Sequence, residues 1–204
     1  MLLNTAPSYE DVLFTFREAA RNCYSSANET NNNVELSEKL ARNLIKLGHH
    51  ASLEFNSIPV KIVGDRGLLA QITRHRCASF MVESTRYNNY SKQGINVIVP
   101  ANITNENYAI WRAACMYAET SYYEMIRNGN QPEVARSVLP QSLAVNIVCA
   151  ANIREWRHIF ELRCDSHAQE DIREVMLSLL GIMYEKYPVF FEDLANKYLV
   201  EVEK

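Results

Sequence analysis

The sequence predicts an α+β fold, mainly helical with a small mixed or antiparallel sheet. Three observations carry that expectation. Apolar residues recur at three- to four-residue spacing over most of the 204 positions, as helices require. Only short apolar runs, near 57–63 and 143–149, read as strands. No Gly-x-Gly-x-x-Gly or P-loop run is present, so the familiar dinucleotide and triphosphate cradles of doubly wound sheets are missing. The length suits a single domain over 1–204.

Taken in order, a first helix is expected over about residues 9–22. Leu36, Leu40, Leu44 and Leu47 mark a second, with Gly48 where a C-terminal cap belongs. Residues 57–63 read as a strand, and Pro59 favours an edge or a strand start. Asp65 caps a helix expected to run to about 75, with Leu68, Leu69 and Ile72 as its apolar stripe. Gln71, Arg74 and His75 then share another face of it. Residues 94–100 read as extended, and 104–128 as a long helix rich in Tyr and Ala. Pro132 fits the first turn of a short helix through Arg136. After the strand at 143–149, residues 153–163 read helical, with Ile153, Trp156 and Phe160 facing inward. The next helix is expected to start from a capping box, Ser166-x-x-Gln169, with Glu170 and Asp171 in its first turn. Ile172, Val175, Met176, Leu179, Leu180 and Met183 form its core stripe.

Composition narrows the function. The 48% apolar content is that of a folded protein, and no run approaches the roughly 20 apolar residues of a membrane span. A net charge of -3 argues against general nucleic-acid binding, which draws on excess Lys and Arg. The N-terminus has neither a basic region nor a long apolar one, so no secretory signal is expected. Cys23, Cys77, Cys115, Cys149 and Cys164 are odd in number and scattered, which favours reduced thiols in the cytoplasm over disulfides or a zinc site.

Positive charge is instead concentrated. Residues 74–87 hold Arg74, Arg76 and Arg86 with His75, Glu83, Ser84 and Thr85. Guanidinium groups present planar forks of donors that match phosphate oxygens, so this run asks for a small anionic ligand such as a nucleotide. A solvated polar loop is the plain alternative. Further polar clusters are Gly48-His49-His50-Ala51-Ser52-Leu53-Glu54, the run 152–158 in which Arg154 and His158 share a helix face, and Arg163 just before a capped helix. Adjacent histidines without a His-Glu-x-x-His pattern do not argue for a metal. Arginines beside Cys77 and Cys164 suggest lowered thiol pKa values, with His75 or His167 as a base. No Gly-x-Ser-x-Gly elbow surrounds Ser84, which favours a hydrogen-bonding role over a nucleophilic one.

Together these segments resemble the flavin-dependent thymidylate synthases. The family pattern of Arg-His-Arg, seven residues, then Ser reads here as Arg74-His75-Arg76 and Ser84, ending Glu83-Ser84-Thr85-Arg86-Tyr87. Gly48-His49 with Leu53-Glu54, Val134-Ala135-Arg136 with Leu139-Pro140, and 162–169 match three further blocks in order. The resemblance implies that family's fold and reductive methylation of dUMP to dTMP. It implies FAD as cofactor, 5,10-methylenetetrahydrofolate as carbon donor, NADPH as reductant, and a homotetramer with shared active sites. It assigns His49, Ser52, Arg74, His75, Arg76, Asn152, Arg154 and His158 to FAD. Gln71, Arg74, Glu83, Ser84, Thr85, Arg86, Arg136 and Arg163 are assigned to dUMP, with Arg163 catalytic and no metal. Met81, Val82 and Phe55 depart from the usual family residues, and the hydroxyl expected two past His49 is displaced from Ala51 to Ser52. These departures motivate the alternative of a nucleotide- or flavin-binding regulatory protein without turnover. A helical interaction protein whose arginines meet an acidic partner is the third reading.

Overall fold

A computed structural model describes residues 1–22 and 33–200. Cys23, counted among the scattered cysteines, lies outside them. The fold is α+β and mainly helical, with one three-stranded antiparallel sheet of order β1-β3-β2. The strands are β1 (Ser57–Gly64), β2 (Ser79–Val82) and β3 (Val145–Asn152). Pro59 therefore sits on an edge strand of the sheet, and its carbonyl accepts from the Leu3 amide at 3.2 Å. The chain divides into two compact units, one of residues 1–61, 75–79 and 149–204, the other of residues 62–74 and 80–148.

The first unit is a helical assembly. It contains α1 (Tyr9–Asn22), α2 (Val34–Lys46) and a short 3₁₀ turn, Ala51–Glu54. The later chain adds α7 (Ile153–Arg163), α8 (Glu170–Lys186) and α9 (Pro188–Tyr198). Trp156, Phe160, Phe190 and Phe191 are fully buried, joined by the stacked Trp156–Phe160 pair and the edge-to-face Phe160–Phe191 and Phe16–Phe190 pairs. The Trp156 indole N–H donates to the Ile58 carbonyl at 3.0 Å, so its polar edge is satisfied in the core. Ile153, Trp156 and Phe160 face inward as the periodicity requires, and so do Ile172, Met176, Leu179, Leu180 and Met183.

Two expectations for this unit are corrected. In α2 the buried face is Ser37, Ala41 and Leu44, while Leu36 and Leu47 are exposed. Helix α8 starts after Gln169, not from a box at Ser166, and Gln169 makes no side-chain cap bond. Asp165 takes the intervening turn: its carboxylate accepts from the His167 amide at 2.9 Å and its carbonyl from Ala168 at 3.0 Å. Gly48 does stand just past the α2 cap, at φ +74°.

The second unit holds α3 (Arg66–Ile72), α4 (Tyr90–Gln93), α5 (Asn105–Arg127), α6 (Pro132–Ala135) and a 3₁₀ turn, Arg136–Val138. Asp65 caps α3 as expected, accepting from the Leu68 amide at 2.6 Å. The helix ends at Ile72 and not near 75, because Thr73 turns its hydroxyl back onto the Leu69 carbonyl at 2.8 Å and its amide closes the last turn. Gln71, Arg74 and His75 therefore do not share a helix face. Residues 94–100 contribute one isolated bridge, Val97 to Leu143. Helix α5 buries only Cys115 and Tyr122, and Tyr108, Ile110, Met116 and Tyr117 remain exposed. Among the described residues no helix is long and apolar enough to cross a membrane.

Candidate active site

Within the first unit the chain closes two adjacent cavities. One, of about 570 Å³, is lined by His50, Glu54, Asn152, Arg154, Arg157 and His158, with Cys77 at its wall. The other, of about 400 Å³ and more apolar, is lined by Leu44, His49, His50, Ala51, Ser52 and Arg154. Both use His50 and Arg154, so the expected flavin residues His49, Ser52, Asn152, Arg154 and His158 all border one connected set of walls. The start of α7 sets this up. Asn152 caps the helix by accepting from the Glu155 amide at 2.9 Å, which leaves its side-chain amide N–H groups uncommitted to that cap. Arg154 projects outward and pairs with Glu54 of the 3₁₀ turn.

Two buried polar atoms in these walls have no protein partner, Ser52 Oγ and Arg157 Nε. A buried hydroxyl or N–H without a partner costs about 1–3 kcal/mol, so their presence in cavity walls fits a polar ligand that supplies the missing bonds. Arg157 is otherwise structural. Its guanidinium donates to both Asp193 carboxylate oxygens, at 2.8 and 2.6 Å, and to the Phe190 carbonyl at 2.6 Å.

His75 sits among three other polar side chains of this unit. It is buried, its Nε2 accepts from Arg163 Nε at 3.1 Å, and its Nδ1 lies 3.6 Å from the Glu155 carboxylate. His158 packs edge-on at 5.9 Å between ring centres. Burial, then the Arg163 charge, then His158 push the His75 pKa down to about 4, so the ring is neutral at neutral pH. Arg76, next along the chain, is exposed, as is His158.

In the second unit several of the residues expected to hold the nucleotide are drawn together. Glu83 continues the pairing of β2, its amide donating to the Asn146 carbonyl at 2.9 Å. Its carboxylate accepts from Asn146 Nδ2 at 2.6 Å and from the Tyr90 hydroxyl at 3.2 Å, in the wall of a cavity of about 540 Å³. Burial, then the Glu83 charge, push the Tyr90 phenol up to about 12, so it stays a donor. Ser84 Oγ accepts from the Arg86 amide at 3.3 Å. Buried Thr85 accepts from Arg136 Nη1 at 3.2 Å. Glu133, which no sequence pattern singled out, joins the two arginines: its carboxylate takes Arg86 Nε at 2.8 Å and its carbonyl takes Arg136 Nε at 3.2 Å. Arg74 is exposed and Gln71 half-buried, with the Gln71 carbonyl accepting the Arg74 amide at 3.3 Å.

The structure overturns the suggestion of an activated thiol at Cys164. It is buried, and burial pushes its thiol up to about 12 against a smaller opposing effect of Arg173. Asp165 also binds His167 side chain to side chain at 2.7 Å, in an exposed turn. Among the described residues no group of three or more His, Cys, Asp or Glu side chains is placed to hold a metal ion.

A family model described as "Thymidylate synthase complementing protein" matches residues 7–189 of this sequence. Curated relatives carry the name flavin-dependent thymidylate synthase. One from Geobacter sulfurreducens is 32% identical over 186 residues, covering 86% of this chain and 78% of the relative. One from Haloarcula marismortui is 29% identical over 231 residues, covering 94% and 92%. A third, from Corynebacterium diphtheriae, is 26% identical over 215 residues, covering 97% and 84%.

Proposed function

We propose, for a chain that belongs to the flavin-dependent thymidylate synthase family and is an enzyme, the reductive methylation of dUMP to dTMP. The carbon donor is 5,10-methylenetetrahydrofolate, and NADPH supplies the two electrons that take a transferred methylene to a methyl group. FAD, when bound, supplies the redox chemistry. Its place is the pair of cavities in the first unit, where His49, Ser52, Asn152, Arg154 and His158 line the walls and the unpartnered Ser52 hydroxyl awaits a polar group. His75 and Arg76 complete that set, and the resemblance adds Arg74.

The observation that carries the reading is how Arg163 is held. Its Nε donates to a neutral histidine, a contact that fixes the guanidinium without drawing on its charge. Placed beside uracil N3, a fixed cation stabilises the N3-ionised ring and makes C5 more nucleophilic. Arg86 and Arg136, gathered by Glu133, take the phosphate. Gln71, Glu83, Ser84 and Thr85 orient the nucleotide. Ser84 makes no covalent adduct in this mechanism. A homotetramer accords with the exposed apolar residues of α5, which a second copy would bury.

Tritium release from [5-³H]dUMP tests the proposal. Release is expected only with methylenetetrahydrofolate and NADPH together, and Arg163→Ala is expected to abolish it while flavin stays bound. Near-normal turnover in that variant, or no turnover in the wild type, would remove the assignment. The second outcome, with flavin and dUMP still bound, would leave a binder without catalysis.

A further inference from the structure

Arg163 does not hold itself in place, and the groups behind it form a directional chain. Glu155 sits in the first turn of α7 with its amide fixed by Asn152. Its carboxylate is 3.6 Å from His75 Nδ1, and the opposite ring nitrogen accepts from Arg163 Nε. A neutral imidazole carries one proton, on one nitrogen or the other. A carboxylate only accepts, so it favours the proton on Nδ1. That leaves Nε2 as a lone pair, which is what Arg163 Nε–H needs. With the proton on Nε2, two N–H groups would face each other and the guanidinium would turn away. The groups facing His75 are therefore Glu155 on one side, Arg163 on the other, and the exposed ring of His158 edge-on.

We propose that Glu155 is a positioning residue for Arg163, acting through the tautomer of His75. Glu155 also lines the larger cavity, but in this role it acts on the uracil only through His75 and Arg163. The inference rests on the functional reading above, in which Arg163 meets the uracil ring, and it adds a residue that no sequence motif assigned.

The test is a double-mutant cycle on dUMP affinity, read by titration calorimetry on FAD-reconstituted protein. Glu155→Gln keeps the size of the side chain but offers an N–H to His75 Nδ1 and so permits the wrong tautomer. Affinity is expected to fall about five- to tenfold in the otherwise wild-type protein, the loss of one well-placed hydrogen bond. In an Arg163→Ala background the same substitution is expected to change affinity less than about twofold, because the group it positions is gone. The phosphate arginines keep that background measurable. A role confined to capping α7 would lower affinity equally in both backgrounds. Equal losses, or unchanged affinity in Glu155→Gln, overturn the proposal. Wild-type protein that takes up no dUMP removes the functional reading itself, and this inference with it. Flavin content and melting temperature report folding. If Glu155→Gln does not fold, Glu155→Ala, which removes the acceptor, carries the same cycle.

Discussion

Removing the Asp193 carboxylate is expected to destabilise the first unit substantially, although half of that side chain faces solvent. The reason lies with its partner. The Arg157 side chain is only 5% exposed, and Asp193 accepts two of its three hydrogen bonds. In Asp193→Ala the guanidinium stays buried with the Phe190 carbonyl as its remaining acceptor. Stripping the partner from a fully buried pair costs about 3–5 kcal/mol. Asp193 is 49% exposed, so water screens its charge and refills part of the gap, which brings the figure to about 2–3 kcal/mol. For a chain of this length that is roughly 5–10 °C in Tm. Thermal unfolding by circular dichroism at neutral pH measures it directly. The same substitution in an Arg157→Leu background should cost about 1–2 °C, since no buried charge is left to orphan. Equal losses in the two backgrounds would refute the reasoning, as would a loss below about 2 °C in the first. The pH dependence has a definite sign. Burial works to raise the Asp193 carboxyl, but hydrogen bonds and charge from Arg157, with backbone donors, together hold it below its ordinary value. A carboxyl depressed in the folded state contributes its stability above the unfolded pKa and loses it as pH falls through the folded one. The Asp193→Ala penalty should therefore shrink in acid.

Native alkylation with iodoacetamide, read by peptide mass spectrometry, should label Cys77 among the four described cysteines. Cys149 and Cys164 are buried, with burial pushing both thiols up to about 12, and Cys115 is buried as well. Cys164→Ala should accordingly keep dTMP formation within about twofold of wild type, and a folded but inactive variant would revive a thiol mechanism. Gly48→Ala should lower Tm by about 2–4 °C, the cost of holding a Cβ at positive φ. Open space surrounds that position, so an unchanged melting temperature would mean the turn relaxes freely.

What the sequence disclosed and what it hid divide along the range of the interactions. Helices α7 and α8 were legible because their apolar stripes report burial locally, and Pro59 announced an edge strand through its own missing N–H. Strand β2 was not legible, since the four residues Ser79–Val82 are too few to show a period and nothing in them says that β3 lies beside them. The false start of α8 came from a nearer competitor: Asp165 turned the chain before Ser166 could cap it. Site residues followed the same division. The arginines and histidines stood out by type, but their carboxylate partners lie 47 to 100 positions away in sequence for Arg86–Glu133 and Arg154–Glu54. No spacing rule reaches that far. Glu155 left one local trace, the Asn152-x-x-Glu155 arrangement of a capped helix start, which reads as structure before it reads as chemistry.

Those partners also explain how an acidic chain keeps a cationic site. Arg86 rests on Glu133, Arg154 on Glu54, Arg157 on Asp193 and Arg163 on a neutral His75. Exposure separates their uses. Arg86 and Arg154 have side chains 57% and 54% exposed, where an ion pair holds about 0–1 kcal/mol. Such a guanidinium leaves its carboxylate for a ligand phosphate at little cost, and until then it is kept aimed and its charge balanced. Arg157 is buried and cannot make that exchange without orphaning Asp193, so its pairing serves the fold. Arg163 differs from both in that its Nε donates to a ring that carries no charge. An arginine held by a carboxylate would meet the uracil ring with its field already partly neutralised. With its Nε on an imidazole that burial keeps neutral, that contact takes nothing from the positive charge the proposed reaction needs.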